Sequence, residues 1–251
     1  MYQGFYELTS GMLTQQRNLN TISNNLANIE TAGYKKDTQV NSTFDEEMLI
    51  RTGRYNKKNP KQLGTQTPIV MADETVTSFT QGTLRETGQK YDFAIEGEGF
   101  FNIETADGIR YTRNGSFSLN ADGNLELDGL GLVLGQDGNP IHLDNEDVTM
   151  DSYGRIIYQA DGRVAGQIRL TGLNTDNLIK EDSGLYRTDE AGTDLTGQTK
   201  VVNGSLERSN ADMVDEMTNM MSSQRALQSA AQMLRMYDSV LNKASNDVGQ
   251  V

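Results

Sequence analysis

From Phe5 to Ile29 the apolar residues fall at Phe5, Leu8, Met12, Leu19, Ile22, Leu26 and Ile29, with Gln15 in the one vacant slot. The steps are three and four throughout. That spacing keeps one stripe on one side of a helix and predicts a heptad seam turned toward a partner helix. Thr31 and Gly33 end it, glycine being suited to the positive φ of a helix stop. The other end of the chain repeats the pattern. Met213, Met217, Met220, Leu227, Ala231, Leu234 and Leu241 step alike, with Gln224 and Asp238 in the remaining slots. Ser209 or Asn210 suits the N-cap. Asp212, Asp215 and Glu216 suit the positive end of the helix, and Arg235 and Lys243 the negative end. A helix over about 210–245 would run ~50 Å at 1.5 Å per residue, far beyond the usual globular length.

Between the two stripes the period drops to that of short strands. Phe93-Ala94-Ile95, Gly99 to Ile103, Phe117 to Leu119, Leu125 to Leu127, Arg155 to Tyr158 and Val164 to Leu170 read as strands. Asp-Gly pairs at 107–108, 122–123, 137–138 and 161–162 supply hairpin chemistry between them. Regular short strands of this kind predict an antiparallel barrel or sandwich. Residues 35–80 have no sustained period and hold two of the three prolines.

The expected architecture is therefore α+β, with an all-β domain inserted between terminal helices that form a coiled-coil-like pair. Its parts are an N-terminal helix over 1–34, an extended connector over 35–80, a β domain over 81–203 and a C-terminal helix over 204–251. Gln15 and Gln224 are expected to share a polar layer, which can fix the register of a helix pair. Isolated helices are marginal in water, so both ends, about 1–35 and 205–251, are expected to be disordered before assembly.

Composition narrows the chemistry. The chain has no cysteine and one histidine, His142, which excludes disulfides and thiolate sites and leaves few routes to acid–base catalysis. A calcium loop starting at Asn120 would need glycine where Leu125 stands, and Gly97-Glu98-Gly99 lacks the context of a dinucleotide fingerprint. No cofactor, metal or catalytic residue is expected, and His142 reads as an ordinary surface or satisfied histidine. No stretch nears the ~20 apolar residues of a membrane span, and the start lacks the features of a cleaved signal. Of the net charge of −13, the segment 80–203 carries −11, which makes nucleic acid an unsuitable partner. The concentrated positive charge is Arg51, Arg54, Lys57, Lys58 and Lys61. Two readings of it stand: a solvated loop, or a contact with an acidic neighbour or an anionic wall polymer.

Four groups of residues carry a resemblance. Ser23-Asn24-Asn25-Leu26-Ala27-Asn28 is followed by Thr31-Ala32-Gly33-Tyr34-Lys35. Gln81-Gly82-Thr83-Leu84 leads into Asp92 to Phe101. Tyr111 to Phe117 forms a third group, and Gly204 to Asn210, with Glu216 and Gln224-Arg225-Ala226, forms the fourth. Together and in this order they resemble the flagellar basal-body rod and hook axial proteins. One β domain of this size resembles the long rod subunits of the proximal or distal type. Leu227 and Gln228 depart from the family, which often has an aromatic and an acidic residue there.

The resemblance implies a structural subunit without enzymatic activity, polymerised helically through its terminal helices to transmit torque from motor to hook. It implies other rod subunits, hook-side axial proteins and wall or ring components as partners. It also implies a place in the basal body, outside the cytoplasmic membrane, reached through the flagellar type III export apparatus without a cleaved signal. The expected interface residues are Phe5, Leu8, Met12, Gln15, Leu19, Ile22, Asn24, Asn25, Leu26 and Asn28 at one end. At the other they are Met213, Met217, Met220, Gln224, Leu227, Ala231, Leu234 and Leu241. The asparagines of the stretch Asn18 to Asn28 are expected to bond between subunits. The competing reading is a secreted or phage-tail-like oligomeric module whose β domain binds a ligand.

Overall fold

The computed structural model describes residues 2–43, 47–51, 61–66, 70–145, 147–181 and 183–248. They divide into two compact units, one of residues 1–27, 37–78 and 211–251, the other of 28–36 and 79–210.

The first unit contains both helices, α1 (Tyr2–Ala27) and α2 (Met213–Val248). They pack antiparallel. Gly4 lies by the Tyr237 hydroxyl, Asn18 bonds Ser223, and Asn25 bonds Glu216. Asp212, and not the expected Ser209 or Asn210, caps α2: its Oδ1 accepts from the Val214 and Asp215 amides at 2.8 and 3.1 Å. The stretch 35–80, expected as an extended connector, carries two antiparallel strand pairs. Asp37–Thr43 pairs with Val70–Thr77, and Glu47–Arg51 with Lys61–Gln66. The first pair lacks apolar alternation because polar side chains hold it. Thr77 Oγ1 donates to Asp37 Oδ1 at 2.7 Å, and Gln39 Nε2 donates to the Glu74 carbonyl at 3.0 Å.

The second unit is antiparallel β structure. Its main sheet is organised on Phe100–Thr105, a strand buried along its first four residues. One edge of this strand pairs with Gly108–Thr112. The other edge is shared, Phe100 and Phe101 facing Leu170–Gly172 while Ile103 and Glu104 face Gly131–Val133. The sheet therefore forks and stays open. Its outer strands, Ile179–Lys180 and Phe117–Leu119, do not meet, so the closed barrel among the expectations is not formed. Phe101, Ile103, Leu125, Ile156, Ile168 and Leu170 are buried in one core, which accounts for much of the apolar content of this acidic segment. The Asp-Gly pairs at 107–108, 122–123, 137–138 and 161–162 lie at reversals between antiparallel partners, with φ of +111°, +79°, +75° and +68° at Gly108, Gly123, Gly138 and Gly162.

Three chain segments meet on one buried carboxylate in this unit. Glu207, on the strand Ser205–Glu207, has no exposed side-chain surface. Its Oε1 accepts from Lys35 Nζ at 2.5 Å and from the Gly82 amide at 2.9 Å. Its Oε2 accepts from Arg113 at 3.3 Å, and its backbone carbonyl accepts from the Gly33 amide at 2.8 Å. Residues 28–36, 79–83 and 204–210 are thereby fastened to one another. Asn210 makes a second knot of the same segments, accepting from the Lys36 amide at 2.8 Å and donating to the Thr80 carbonyl at 3.1 Å. That commitment leaves the capping of α2 to Asp212. The approach is close enough to exclude side chains. A Cβ on Gly33, whose φ is +68°, would lie 2.3 Å from the Arg113 backbone, and one on Gly82 would lie 2.0 Å from the Arg208 carbonyl. Lys180 closes the outside, 4.0 Å over the Tyr34 ring and donating to the Lys35 carbonyl.

Burial pulls the pKa of the Lys35 ammonium below the usual lysine range, and the Glu207 carboxylate restores part of the shift. Burial likewise lowers Arg113, again offset in part by Glu207. Both directions say that desolvation outweighs pairing at each cation, so this is a costly cluster that holds only when complete. Glu207→Gln leaves two buried cations without a counter-charge and is expected to destabilise the β unit by about 3–5 kcal/mol. Lys35→Met with Glu207→Gln should be milder than Glu207→Gln alone. Urea unfolding followed by tyrosine fluorescence measures both. Residues 28–36 and 204–210 belong to this unit, so the segment expected to be disordered before assembly contracts to the helices themselves. In dilute monomer, hydrogen exchange should be slow at Gly33, Gly82 and Arg208 and fast across α1 and α2. Strong protection across Leu19–Leu26 and Leu227–Leu234 would contradict this.

Candidate assembly interface

The helix pair of the first unit is built on polar layers as well as apolar ones. Asn25 is 1% exposed; its Oδ1 accepts from the Asp37 amide at 3.0 Å, and its Nδ2 donates to the Asp37 carbonyl at 2.8 Å. The same Nδ2 lies 3.4 Å from Glu216 Oε2, and Glu216 is itself 2% exposed. Two turns away, Asn18 Nδ2 donates to Ser223 Oγ at 3.1 Å. Asn18 and Asn25 are seven residues apart, and so are Glu216 and Ser223. An antiparallel pair with heptad spacing brings each asparagine to its partner. The amides of Asn18 and Asn25, expected to bond between subunits, are thus spent within the chain. A buried amide left unpaired would cost about 1–3 kcal/mol, which is the physical reason they find partners here.

These layers rotate α2 relative to the stripe read from apolar residues. Glu216, Met220, Ser223, Leu227, Ala230, Ala231, Leu234 and Tyr237 are its buried or half-buried described positions, and through Ala231 they step by three and four. Met220, Leu227, Ala231 and Leu234 of the expected set are half-buried, whereas Met213, Met217, Gln224 and Leu241 are exposed. On α1, Ile22 and Asn25 are buried, and Leu8, Met12, Gln15, Leu19 and Leu26 are half-buried. Phe5 and Asn24 are exposed. Asn28, half-buried, belongs to the second unit. Gln224 faces out, so the polar layer expected with Gln15 is not formed; the layers of Asn18 and Asn25 stand in its place.

Large apolar side chains remain uncovered on both helices. Phe5, Tyr6 and Leu13 on α1 are exposed, as are Met213, Val214, Met217, Met221, Met233, Met236, Val240 and Leu241 on α2. Burying a side chain of this kind contributes about 1.5–3 kcal/mol, so the surface favours association. Of the basic cluster, Arg51 and Lys61 are backbone partners in one antiparallel strand pair. Arg54, Lys57 and Lys58 lie outside the described residues. His142 is a surface residue, its Nδ1 at 3.2 Å from Asn124 Oδ1 and its Nε2 at 3.5 Å from Asp144. No described helix is long and apolar enough to cross a membrane.

The geometry assigns work to residues that the sequence offered only as a resemblance. Lys35, Gly82, Arg113 and Glu207 come from its four separate groups and converge on one ion cluster. Asn25 and Glu216 come from two of those groups and meet in the helix pair.

Family models match in the same order along the chain. Residues 5–35 match the flagella basal body rod protein family, and 94–170 match the flagellar hook protein FlgE/F/G D1 domain. Residues 202–247 match the flagellar basal body rod FlgEFG protein C-terminal family. The chain is 32% identical to the flagellar hook-basal body complex protein FlhO of Bacillus subtilis, over 100% of both chains. It is 33% identical to the flagellar basal-body rod protein FlgG of the same organism, over 98% of this chain and 99% of the relative. It is 34% identical to the rod protein FlgF of Caulobacter vibrioides, over 93% of each. The chain belongs to the flagellar basal-body rod protein family and is a structural rod subunit, not an enzyme.

Proposed function

We propose that the subunit polymerises helically through the outward faces of α1 and α2, and that the polymer transmits torque between motor and hook. The observation that carries this reading is the exposed apolar surface on both helices of the first unit. A closed helix pair with a polar exterior would have no use for it. Phe5, Met213, Met217 and Leu241 are then direct intersubunit contacts. Met12, Leu19, Ile22, Met220, Leu227 and Leu234 support them from within a coiled-coil-like pair, a geometry favoured by their three-and-four spacing. Asn24 joins the contacts, being exposed on α1. Marginal terminal helices also suit passage through the type III export apparatus, which places the assembled rod outside the cytoplasmic membrane. Other rod subunits and hook-side axial proteins are its neighbours.

The basic cluster has a role in the same reading. Five basic residues gathered between Arg51 and Lys61, which are backbone partners in one strand pair, call for a counter-charge. A β unit rich in carboxylates on an adjacent subunit supplies one, so Arg51, Arg54, Lys57, Lys58 and Lys61 would offset repulsion between copies. Exposed pairs contribute only ~0.2–1 kcal/mol each, so they adjust packing that apolar burial drives.

Electron microscopy of the purified chain at rising concentration is expected to show an open tube. A closed oligomer of fixed subunit number would favour the binding-module reading instead. Arg54, Lys57 and Lys58 replaced together by Ser should weaken the tube at low salt and match the parent at high salt, where the Debye length falls below ~8 Å. Stability equal to the parent at low salt would mean that these charges face water.

A further inference from the structure

Six of the eleven methionines lie on α2, a helix of 36 residues in a chain of 251. That helix sorts its apolar residues by side. Leu227, Ala230, Ala231, Leu234 and Tyr237 are half-buried, and only Met220 of the six methionines joins them. The other five stand outside, Met213, Met217, Met221, Met233 and Met236 being 44% to 55% exposed. Met213, Met217 and Met221 are four residues apart and fall along one side of the helix.

Leucine at these places would bury about as much surface and favour the helix equally well. What methionine adds is a flexible thioether whose sulfur lone pairs are open to oxidants. The chain has no cysteine and no tryptophan, so no thiol or indole competes for a peroxide. Met150, by contrast, is packed against the core of the β unit and sheltered there.

Resting on the self-assembly reading above, we propose that the five exposed thioethers of α2 are an oxidation site. A hydroperoxide converts them to sulfoxides in the free subunit, and the modified helix no longer enters the polymer. The sulfur lone pair attacks the outer peroxide oxygen, the O–O bond breaks and an S–O bond forms. Sulfur loses two electrons, and the peroxide is reduced. The proton of the transferred hydroxyl passes to the leaving hydroxide, which departs as water. A sulfoxide is a polar acceptor, and an interface that covers it without a donor is weakened. Methionine sulfoxide reductase reverses the change, so the block is a switch and not a lesion.

Dilute subunit is treated with hydrogen peroxide, the excess is destroyed with catalase, and the oxidised methionines are located by peptide mass mapping. The five α2 methionines should take up oxygen well before Met150. The critical concentration for polymer should rise about fivefold or more. Methionine sulfoxide reductase should return it to the untreated value. A variant with all five residues replaced by Leu is compared only with its own untreated sample, and peroxide should leave its critical concentration where it was. Oxidised parent that polymerises at the untreated concentration would overturn the proposal. So would a critical concentration that the reductase does not lower, or a five-leucine variant shifted by peroxide as far as the parent. Absence of polymer from the untreated parent would instead overturn the reading on which the proposal rests.

Discussion

A carboxylate withdrawn from water must be met by charge and by hydrogen-bond donors, and the β unit is arranged around that requirement at Glu207. Two cations and a backbone amide reach its side chain, and they come from separate parts of the sequence. The requirement is strict because each member is unfavourable alone. Burial depresses the pKa of both Lys35 and Arg113, so neither cation gains from being inside without the carboxylate. An apolar cluster of equal volume could hold the same segments with as much free energy, but it would accept many alignments. Directional bonds to one residue accept one, and the two glycines that let the backbones approach tighten the fit. The consequence is that the chain enters and leaves the β unit at a fixed place.

The helix unit answers a different constraint with similar means. An antiparallel pair of long helices with interchangeable apolar layers can slide by a heptad at little cost. The contacts of Asn18 with Ser223 and of Asn25 with Glu216 favour one register, because a slip by a heptad would break both. Two asparagine layers specify the pairing while the apolar residues supply most of the driving force. The rest of the apolar surface points outward and is available to neighbours. Intramolecular specificity is thus carried by polar groups inside the pair, and intermolecular attraction by thioethers and aromatic rings outside it.

Much of this architecture is legible in the residue pattern alone. The heptad spacing at both ends calls for long helices, and the short strands with Asp-Gly reversals call for antiparallel β structure in between, because side-chain periodicity and turn chemistry are local properties. The pairing of residues 37–43 with 70–77 is not legible there, since its strands are polar and carry no alternation. Nor is the open sheet, which follows from Phe100–Thr105 dividing one edge between two partners. The stripe on α2, read through its apolar residues, misses Glu216 and Ser223. Their spacing matches that of Asn25 and Asn18, a signal present in the sequence but silent until the helices are known to be antiparallel.

The sequence by itself determined the long terminal helices, the antiparallel strands between them, the absence of thiol chemistry, the acidity of the middle and the four groups of residues that mark the family. Those follow from composition and short-range pattern. Tertiary structure decided what the marked residues do. Lys35, Gly82, Arg113 and Glu207 are far apart along the chain, and nothing local in any of them requires the others. Only folding removes the water around Glu207, and removing that water turns four scattered signature residues into one interdependent cluster.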